Sequence, residues 1–380
     1  LAGSQVSGSS RRRLLRDGTE IAPGDLGWGT YARLGKLGGE PFRIFAQYEH
    51  ASPRFELNHA GFLQSQNVQS LWGEARYQLP GRMGPLSNWV FKINGGADWT
   101  TDGRWLNRAR VVGFVTDALF PRLGYSEVAF NCRYEGSAYD VREIRAANIP
   151  YRIAPDVYCG ASLQTDTSRP VLWWLEGFRY QNLPQGVLLA RGGYGGDTTL
   201  TLRPIPRLET QIVALLERSG FTARFLDRVD RINGLDSPSL RFAGLVATQA
   251  SLQLRQQVVL SPELTFQAYA QLFTAHGHYG PFYEADVVGR PIEMTDLRLS
   301  LGDAASYDFR QSALVVNAVL RWDYRLGSTL HAVYSRAQAS RPVVGAAVSG
   351  LPGLTLAGLP RGPATDTFLL KWSWFWDAGA

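Results

Sequence analysis

The segment Asp366–Trp376, which reads DTFLLKWSWFW, decides how the rest of this sequence is interpreted. Every second residue from Phe368 to Trp376 is apolar and mostly aromatic, and the residues between them include Lys371 and Ser373. Alternate side chains of a strand point to opposite faces, so the aromatic residues share one face. A soluble edge strand is normally blunted by charge or proline. The closing strand of an outer-membrane barrel instead turns an apolar, aromatic face to lipid.

The composition fits a β-rich membrane protein. The chain has 380 residues, of which 45% are hydrophobic and 12% aromatic, and it contains 40 Gly. No run approaches the roughly 18–20 apolar residues that a membrane-spanning helix needs. The net charge of +6 comes from basic residues spread thinly along the chain, which argues against a nucleic-acid partner. Leu1–Ser10 has neither the basic nor the apolar region of a signal peptide, so we expect a mature form or the C-terminal part of a longer protein.

The same alternation recurs along the chain in segments of roughly 10–18 residues. Strands are predicted at 1–10, 26–36, 41–51, 66–79, 88–100, 105–119, 122–136, 153–166, 169–182, 189–203, 207–225, 240–260, 263–277, 312–325, 328–338 and 366–376. Short and long connections alternate between them, as in barrels with short periplasmic turns and longer external loops.

This pattern predicts an all-β fold, a transmembrane antiparallel β-barrel of about 16 strands (roughly 14–18). The barrel forms one domain over 1–380, with long external loops near 278–311 and 339–365, and further strands could precede Leu1. The alternative fold is a soluble β-sandwich, which also alternates.

Four segments resemble one known family. They are Tyr48–Gln64 (YEHASPRFELNHAGFLQ), Leu264–Tyr283 (LTFQAYAQLFTAHGHYGPFY), Leu314–Tyr324 (LVVNAVLRWDY) and Thr367–Phe375 (TFLLKWSWF). They are similar to the C-terminal barrel domain of unknown function numbered 5916, which in Gram-negative envelope proteins usually follows a family-9-type carbohydrate-binding module. The resemblance implies an outer-membrane location and contact with glycans, but no reaction and no catalytic residue. No segment of this sequence resembles that module, and from the resemblance we expect Leu1 to fall after the start of the family's barrel domain.

The alternation assigns side chains to a lumen face and a lipid face. The predicted lumen-lining residues are Glu74, Arg76, Lys92, Asn94, Asn317, Arg321, Asp323 and Arg325. The predicted lipid-facing aromatic girdle consists of Trp322, Tyr324, Trp372, Trp374 and Trp376. Mixed charges along the inside of such a barrel predict a water-filled channel or a lumen plugged by a loop, for which 278–311 is the candidate.

Other motifs carry weaker signals. Cys132 and Cys159 fall on neighbouring predicted strands with the same parity, which makes them a candidate disulfide. His276 and His278 precede an acidic loop, for which a divalent-cation site is the alternative to a solvated loop. The glycine-rich 192–197 leads into a strand, so it predicts a kink or bulge and not a phosphate loop. The basic run 11–16 is a solvated loop or a site for lipid A phosphates.

Three functions remain open at this stage. The first is a pore or translocation channel for solutes or an extended chain. The second is a closed barrel that anchors a surface complex or a glycan-binding module. The third, an outer-membrane enzyme, finds no support in the spacing of the five histidines, so no catalytic residue, metal or cofactor is predicted. The expected partners are outer-membrane lipid and lipopolysaccharide, together with other envelope proteins or glycans.

Overall fold

The fold is all-β, with 72% strand and 2% helix. A computed structural model describes residues 2–14, 19–55, 67–101, 103, 110–120, 125–140, 143–144, 149–229, 238–302, 306–341, 343–344 and 353–376. Among these residues there is no helix with the length and apolar character needed to cross a membrane.

The strands are numbered here in chain order. They are β1 (Ala2–Gly8), β2 (Arg13–Leu14), β3 (Glu20–Ile21), β4 (Leu26–Lys36), β5 (Phe42–Ala51), β6 (Val68–Met83), β7 (Leu86–Trp99), β8 (Arg110–Phe120), β9 (Ser126–Glu135), β10 (Ala138–Asp140), β11 (Tyr151–Ile153), β12 (Asp156–Gln164), β13 (Val171–Asn182), β14 (Gly192–Ile205), β15 (Leu208–Val229), β16 (Ser239–Ser261), β17 (Leu264–Asp286), β18 (Arg298–Ser300), β19 (Phe309–Arg325), β20 (Ser328–Ala339), β21 (Val343–Val344) and β22 (Ala364–Ser373). Two short 3₁₀ helices cover Met294–Asp296 and Leu359–Arg361.

Antiparallel pairing joins the long strands in one continuous ladder. Its order is β1, β4, β5, β6, β7, β8, β9, β12, β13, β14, β15, β16, β17, β19, β20 and β22. β18 and β21 add short pairings to β17 and β19, while β2–β3 and β10–β11 form separate two-stranded sheets. The pairings of the described residues do not join β1 to β22, so the described sheet has two open edges.

The predicted strand positions are confirmed, because each predicted segment coincides with one strand of the ladder and most ends agree within a few residues. The main difference lies in 278–311, predicted as a loop. β17 continues through His278 to Asp286, β18 follows, and β19 begins at Phe309. Because short and long connections alternate, short hairpins such as Leu326-Gly327 lie at one end of the sheet. We call this end the turn end.

The opposite end of the sheet carries a compact lobe. β15, β16 and β17 have 22, 23 and 23 residues, well beyond the 9–11 that a tilted membrane strand needs. The halves of these strands that lie away from the turn end, together with residues of the long connections, form a buried apolar cluster. The cluster consists of Ile144, Tyr151, Ala154, Leu188, Ala223, Leu240, Phe242, Tyr283, Ala285, Ile292, Met294 and Leu297. We call the segments that carry this cluster the outer lobe. It was not predicted from the sequence.

Candidate functional site

The two faces of the sheet differ in a way that reverses the pattern of a soluble protein. On β5 the apolar Phe42 and Ile44 are exposed, whereas Arg43 between them is half-buried. On β13 Trp173 is exposed and Glu176 is half-buried. Soluble proteins shield large apolar groups and leave charges in water. On one face, which we call the apolar face, large apolar side chains are exposed. On the other, which we call the charged face, charged side chains such as Arg43 and Glu176 are half-buried.

Cross-strand register shows that these faces run through the whole sheet, because directly opposed residues of paired strands point to the same side. The row that begins Arg43–Arg76–Lys92 continues from strand to strand as far as Gln311 in β19. Exposed large side chains on the apolar face include Leu34, Phe42, Ile44, Leu71, Tyr77, Ile93, Val128, Phe130, Tyr134, Val157, Val171, Trp173, Leu175, Tyr194, Leu216, Leu252, Leu254, Leu320, Trp322, Phe368, Leu370 and Trp372.

The predicted lumen residues from the two ends of the chain share the charged face. Glu74 lies opposite Asn94 and Arg76 opposite Lys92. Asn317 and Arg321 reach the same face through their register with β17. Arg321 forms an ion pair with Asp323 at 3.0 Å, and Arg325 lies beyond a register shift at the turn end. That this face lines a lumen stays a prediction.

Like charges lie directly opposite one another at two places on this face. Arg43, Arg76 and Lys92 lie directly opposite one another on β5, β6 and β7. On the far side of β9 and β12, Glu176 lies directly opposite Asp197. Like charges in opposed positions destabilise a sheet, and Arg43 is compensated in part by its ion pair with Glu40.

Aromatic rings also lie on the charged face, which the sequence analysis did not predict. The Arg33 guanidinium lies 3.6 Å from the centre of the Phe45 ring, and Arg133 lies 4.1 Å from that of Tyr158. The Tyr158 ring stacks on Phe178 with a centre-to-centre distance of 5.6 Å. The face is therefore built for amphipathic contacts and not only for charge.

The glycine-rich 192–197 makes room for these rings. A Cβ on Gly193 would lie 2.4 Å from the Tyr180 ring, and one on Gly195 would lie 2.9 Å from Phe178. The prediction of a kink or bulge is wrong, since the pairing of β13 with β14 is unbroken through these residues. The glycines let the rings of Tyr180 and Phe178 pack close to the β14 backbone. The register shift in β14 comes later in the strand, between Leu202 and Ile205.

The predicted girdle residues gather at the turn end of β19 and β22. The Trp372 indole donates a hydrogen bond to the Tyr324 hydroxyl at 2.5 Å. The Trp322 and Tyr324 rings meet edge-on at 5.8 Å, and Trp374 lies 5.6 Å from Trp372. All three tryptophans are exposed, and so is Trp376. An exposed cluster of amphipathic rings at one level of an apolar face is typical of the lipid headgroup region.

Cys132 and Cys159 form a disulfide between β9 and β12. The two residues are directly opposed in the ladder, with Cα atoms 4.1 Å apart. The closed loop contains the connection 136–155, which carries Ile144, Tyr151 and Ala154 of the outer lobe. The crosslink thus fixes the base of a segment that packs into the lobe.

The outer lobe uses its acidic residues to form ion pairs. Arg224 donates to Glu143 at 2.8 Å, and Arg298 to Asp286 at 2.8 Å. Arg290 forms two hydrogen bonds with Asp296, at 2.7 and 2.8 Å. Further contacts join Arg152 to Glu293 at 3.3 Å and His278 to Asp308 at 2.7 Å. Within the described residues, no group of three or more His, Cys, Asp or Glu side chains could hold a metal ion.

Burial and pairing shift the pKa values of several groups in the lobe, among them Tyr151 and Asp227. Burial raises the pKa of Tyr151, whose ring packs 4.9 Å from that of Phe242. Hydrogen bonds from Arg241 lower the pKa of Asp227, and the Tyr307 hydroxyl, 3.1 Å away, acts in the same direction. A carboxylate with a lowered folded pKa stabilises the fold above its unfolded pKa of about 3.9 and loses that effect as the pH falls through the folded value.

We therefore expect Asp227→Asn to weaken the protein more at pH 7 than at pH 3. The pair is partly exposed, so the loss at pH 7 should be about 1 kcal/mol or less. Urea unfolding of both proteins at the two pH values measures the difference between them. An equal difference at both values would show that the Asp227 carboxylate does not act through its charge.

No known protein-family model matches this chain, and no curated protein shows significant sequence similarity to it. The resemblance of the four quoted segments to an outer-membrane barrel domain therefore stays a hypothesis. The functional argument rests on the two faces and the lobe.

Proposed function

We propose that this chain is an outer-membrane β-barrel that forms a pore or translocation channel for solutes or an extended chain. The observation that carries the proposal is the reversed exposure of the two faces, continued by register through the whole ladder. A large exposed apolar face is unfavourable in water and favourable in lipid. In this proposal the apolar face meets the hydrocarbon and the charged face lines the inside.

Closure of the sheet is part of the proposal. If β1 pairs with β22, the ladder becomes a barrel of about sixteen strands, a size that leaves an aqueous channel. A lipid-exposed sheet edge would leave backbone groups unsatisfied in the hydrocarbon, so closure is also what a membrane requires. In such a barrel the arginine, lysine and carboxylate side chains of the charged face are solvated by the water of the lumen. The proposal includes no catalytic residue, no cofactor and no nucleic-acid partner.

Single-channel conductance of the purified protein in a planar bilayer tests the pore. We expect stable conductance steps, together with labelling of Asn317→Cys by a membrane-impermeant thiol reagent in intact vesicles. Ala318→Cys, one residue along on the apolar face, is the matched control and should stay unlabelled. The native cysteines do not interfere, since both are in the disulfide. Equal labelling of the two variants would rule out a water-filled lumen bounded by the charged face.

A second candidate is a closed barrel that anchors a surface complex or binds glycans. The outer lobe favours it, because a lobe of this size at the proposed external end offers a surface for partners. The lobe also contains a cavity of about 140 Å³ lined in part by Arg241, Phe282, Tyr283, Ser300 and Tyr307. Aromatic rings beside an arginine and hydroxyls suit a sugar. Inserted protein that gives no conductance, while Asn317→Cys still reacts, would favour this candidate.

A further inference from the structure

A row of basic and polar side chains interrupts the apolar face, which elsewhere carries the ion pair of Arg336 and Asp366. It runs across β13, β14, β15, β16, β17 and β19, where direct register joins Arg179, Tyr194, Arg218, Thr248, His276 and Arg310. Arg179, Tyr194 and Arg218 are exposed, and His276 and Arg310 are half-buried. The next two residues of β15 on this face toward the turn end are Leu216 and Ala214, so the row marks the border of the apolar band.

The arginines of this row differ from those of the lobe beside them. Lobe arginines such as Arg224 and Arg298 pair with carboxylates. Among the described residues, by contrast, no salt bridge involves Arg179, Arg218 or Arg310. The Nδ1 atom of His276 is buried without a hydrogen-bond partner in the same part of the structure. Arginines that form no ion pair within the chain keep their N–H donors available for charge-assisted hydrogen bonds to an anion from outside it.

The position of the row suggests where that anion comes from. On β19, Arg310 and the girdle residue Trp322 share the apolar face and are twelve residues apart. A membrane strand spans the hydrocarbon with about 9–11 residues, so Arg310 lies at the opposite membrane surface from the girdle. Since the lobe and the long connections lie at that end, it is the external surface in the proposed orientation.

We propose that Arg179, Arg218 and Arg310 bind the phosphate groups of the phosphorylated glycolipid in the outer leaflet. The inference rests on the proposed membrane placement and adds a specific lipid ligand to it. Arginine matches phosphate with two parallel N–H donors, and its guanidinium is less strongly hydrated than an ammonium group. Tyr194, in the middle of the row, is an amphipathic ring at the headgroup level.

The experiment compares lipid retention by three purified proteins in phosphatidylcholine nanodiscs that contain diphosphoryl lipid A. The test variant is Arg179→Gln/Arg218→Gln/Arg310→Gln. The control, Arg169→Gln/Arg203→Gln/Arg207→Gln, removes the same charge at the turn end of β13, β14 and β15. Native mass spectrometry counts bound lipid A, and heat-dependent gel mobility shows that each protein is folded and inserted.

We expect the test variant to bind diphosphoryl lipid A roughly tenfold to hundredfold more weakly than the wild type, because each arginine near the surface contributes one favourable contact with an anionic headgroup. The control should match the wild type, and fully dephosphorylated lipid A should not distinguish the three proteins. Equal retention by inserted test variant and wild type would overturn the inference and leave the barrel proposal standing. Displacement by inorganic phosphate at matched phosphate concentration would also overturn it, because the ligand would then be free phosphate. Failure of the wild type itself to insert would reject the barrel proposal.

Discussion

Replacing Leu254 by arginine should prevent assembly of this protein in a membrane. Leu254 is exposed on the apolar face of β16, between Ile212 and Ala270 and about midway between the turn end and the basic row. An arginine on the lipid face near the bilayer midplane costs roughly 2–4 kcal/mol. We expect Leu254→Arg to yield little or no heat-resistant folded protein after refolding into lipid vesicles. Gel mobility before and after heating measures this fraction.

Gln253→Arg is the matched control, because Gln253 precedes Leu254 and lies on the charged face opposite Val213 and Gln271. The introduced charge would then reach water, so this variant should fold like the wild type. The two variants introduce the same residue at nearly the same depth of the same strand. Any difference between them therefore reports which face the arginine lies on. If both variants fold equally well, the apolar face does not meet lipid. If Gln253→Arg alone fails, the two faces are assigned the wrong way round.

The period-two alternation was enough to predict the strands. A strand that separates two different environments must alternate, and segments such as Asp366–Trp376 record this directly in the sequence. The same parity placed Arg76 and Asn317 on one face, although they are far apart in sequence, and the register joins them there. Local pattern sufficed because every strand pairs with its neighbours in the ladder, so parity passes from one strand to the next.

The outer lobe could not be predicted in this way, because its core depends on contacts between distant segments. Tyr151 packs on Phe242, and its backbone bridges to Ile292. The residues around each of these three positions do not indicate which distant segment it contacts. The extension of β17 to Asp286 was also not predicted, because it depends on pairing with residues of β16 that are distant in sequence. Gly280-Pro281 resembles a strand terminator, yet pairing with β16 resumes beyond it at Phe282.

The row of Arg179, Arg218 and Arg310 was also missed, although each residue is visible in the sequence. Taken alone, each is a single charge near the end of an apolar stretch. Only the register between strands shows that they fall in one line on one face. A sequence signal did exist, since these arginines have the parity of the apolar residues around them.

Loss of the disulfide should cost the protein about 3–4 kcal/mol. The Cys132–Cys159 crosslink closes a loop with a sequence separation of 27, and the chain-entropy estimate for such a loop lies in this range. We expect Cys132→Ser/Cys159→Ser to fold with the same pairing of β9 and β12, because nine residue pairs hold that register. Urea unfolding in lipid vesicles, followed by tryptophan fluorescence, should show the lower midpoint.

Reductant provides the control. Wild-type protein unfolded with a thiol reductant should resemble the double variant, and the variant itself should not respond to reductant. The lobe should be affected most, because the closed loop carries Ile144, Tyr151 and Ala154 into its core. Proteolysis after residues of the lobe should therefore become faster in the variant at urea concentrations where the tryptophan fluorescence has not yet changed. A variant as stable as the oxidised wild type would mean that pairing of β9 with β12 already restricts the unfolded chain, so that the covalent bond adds nothing.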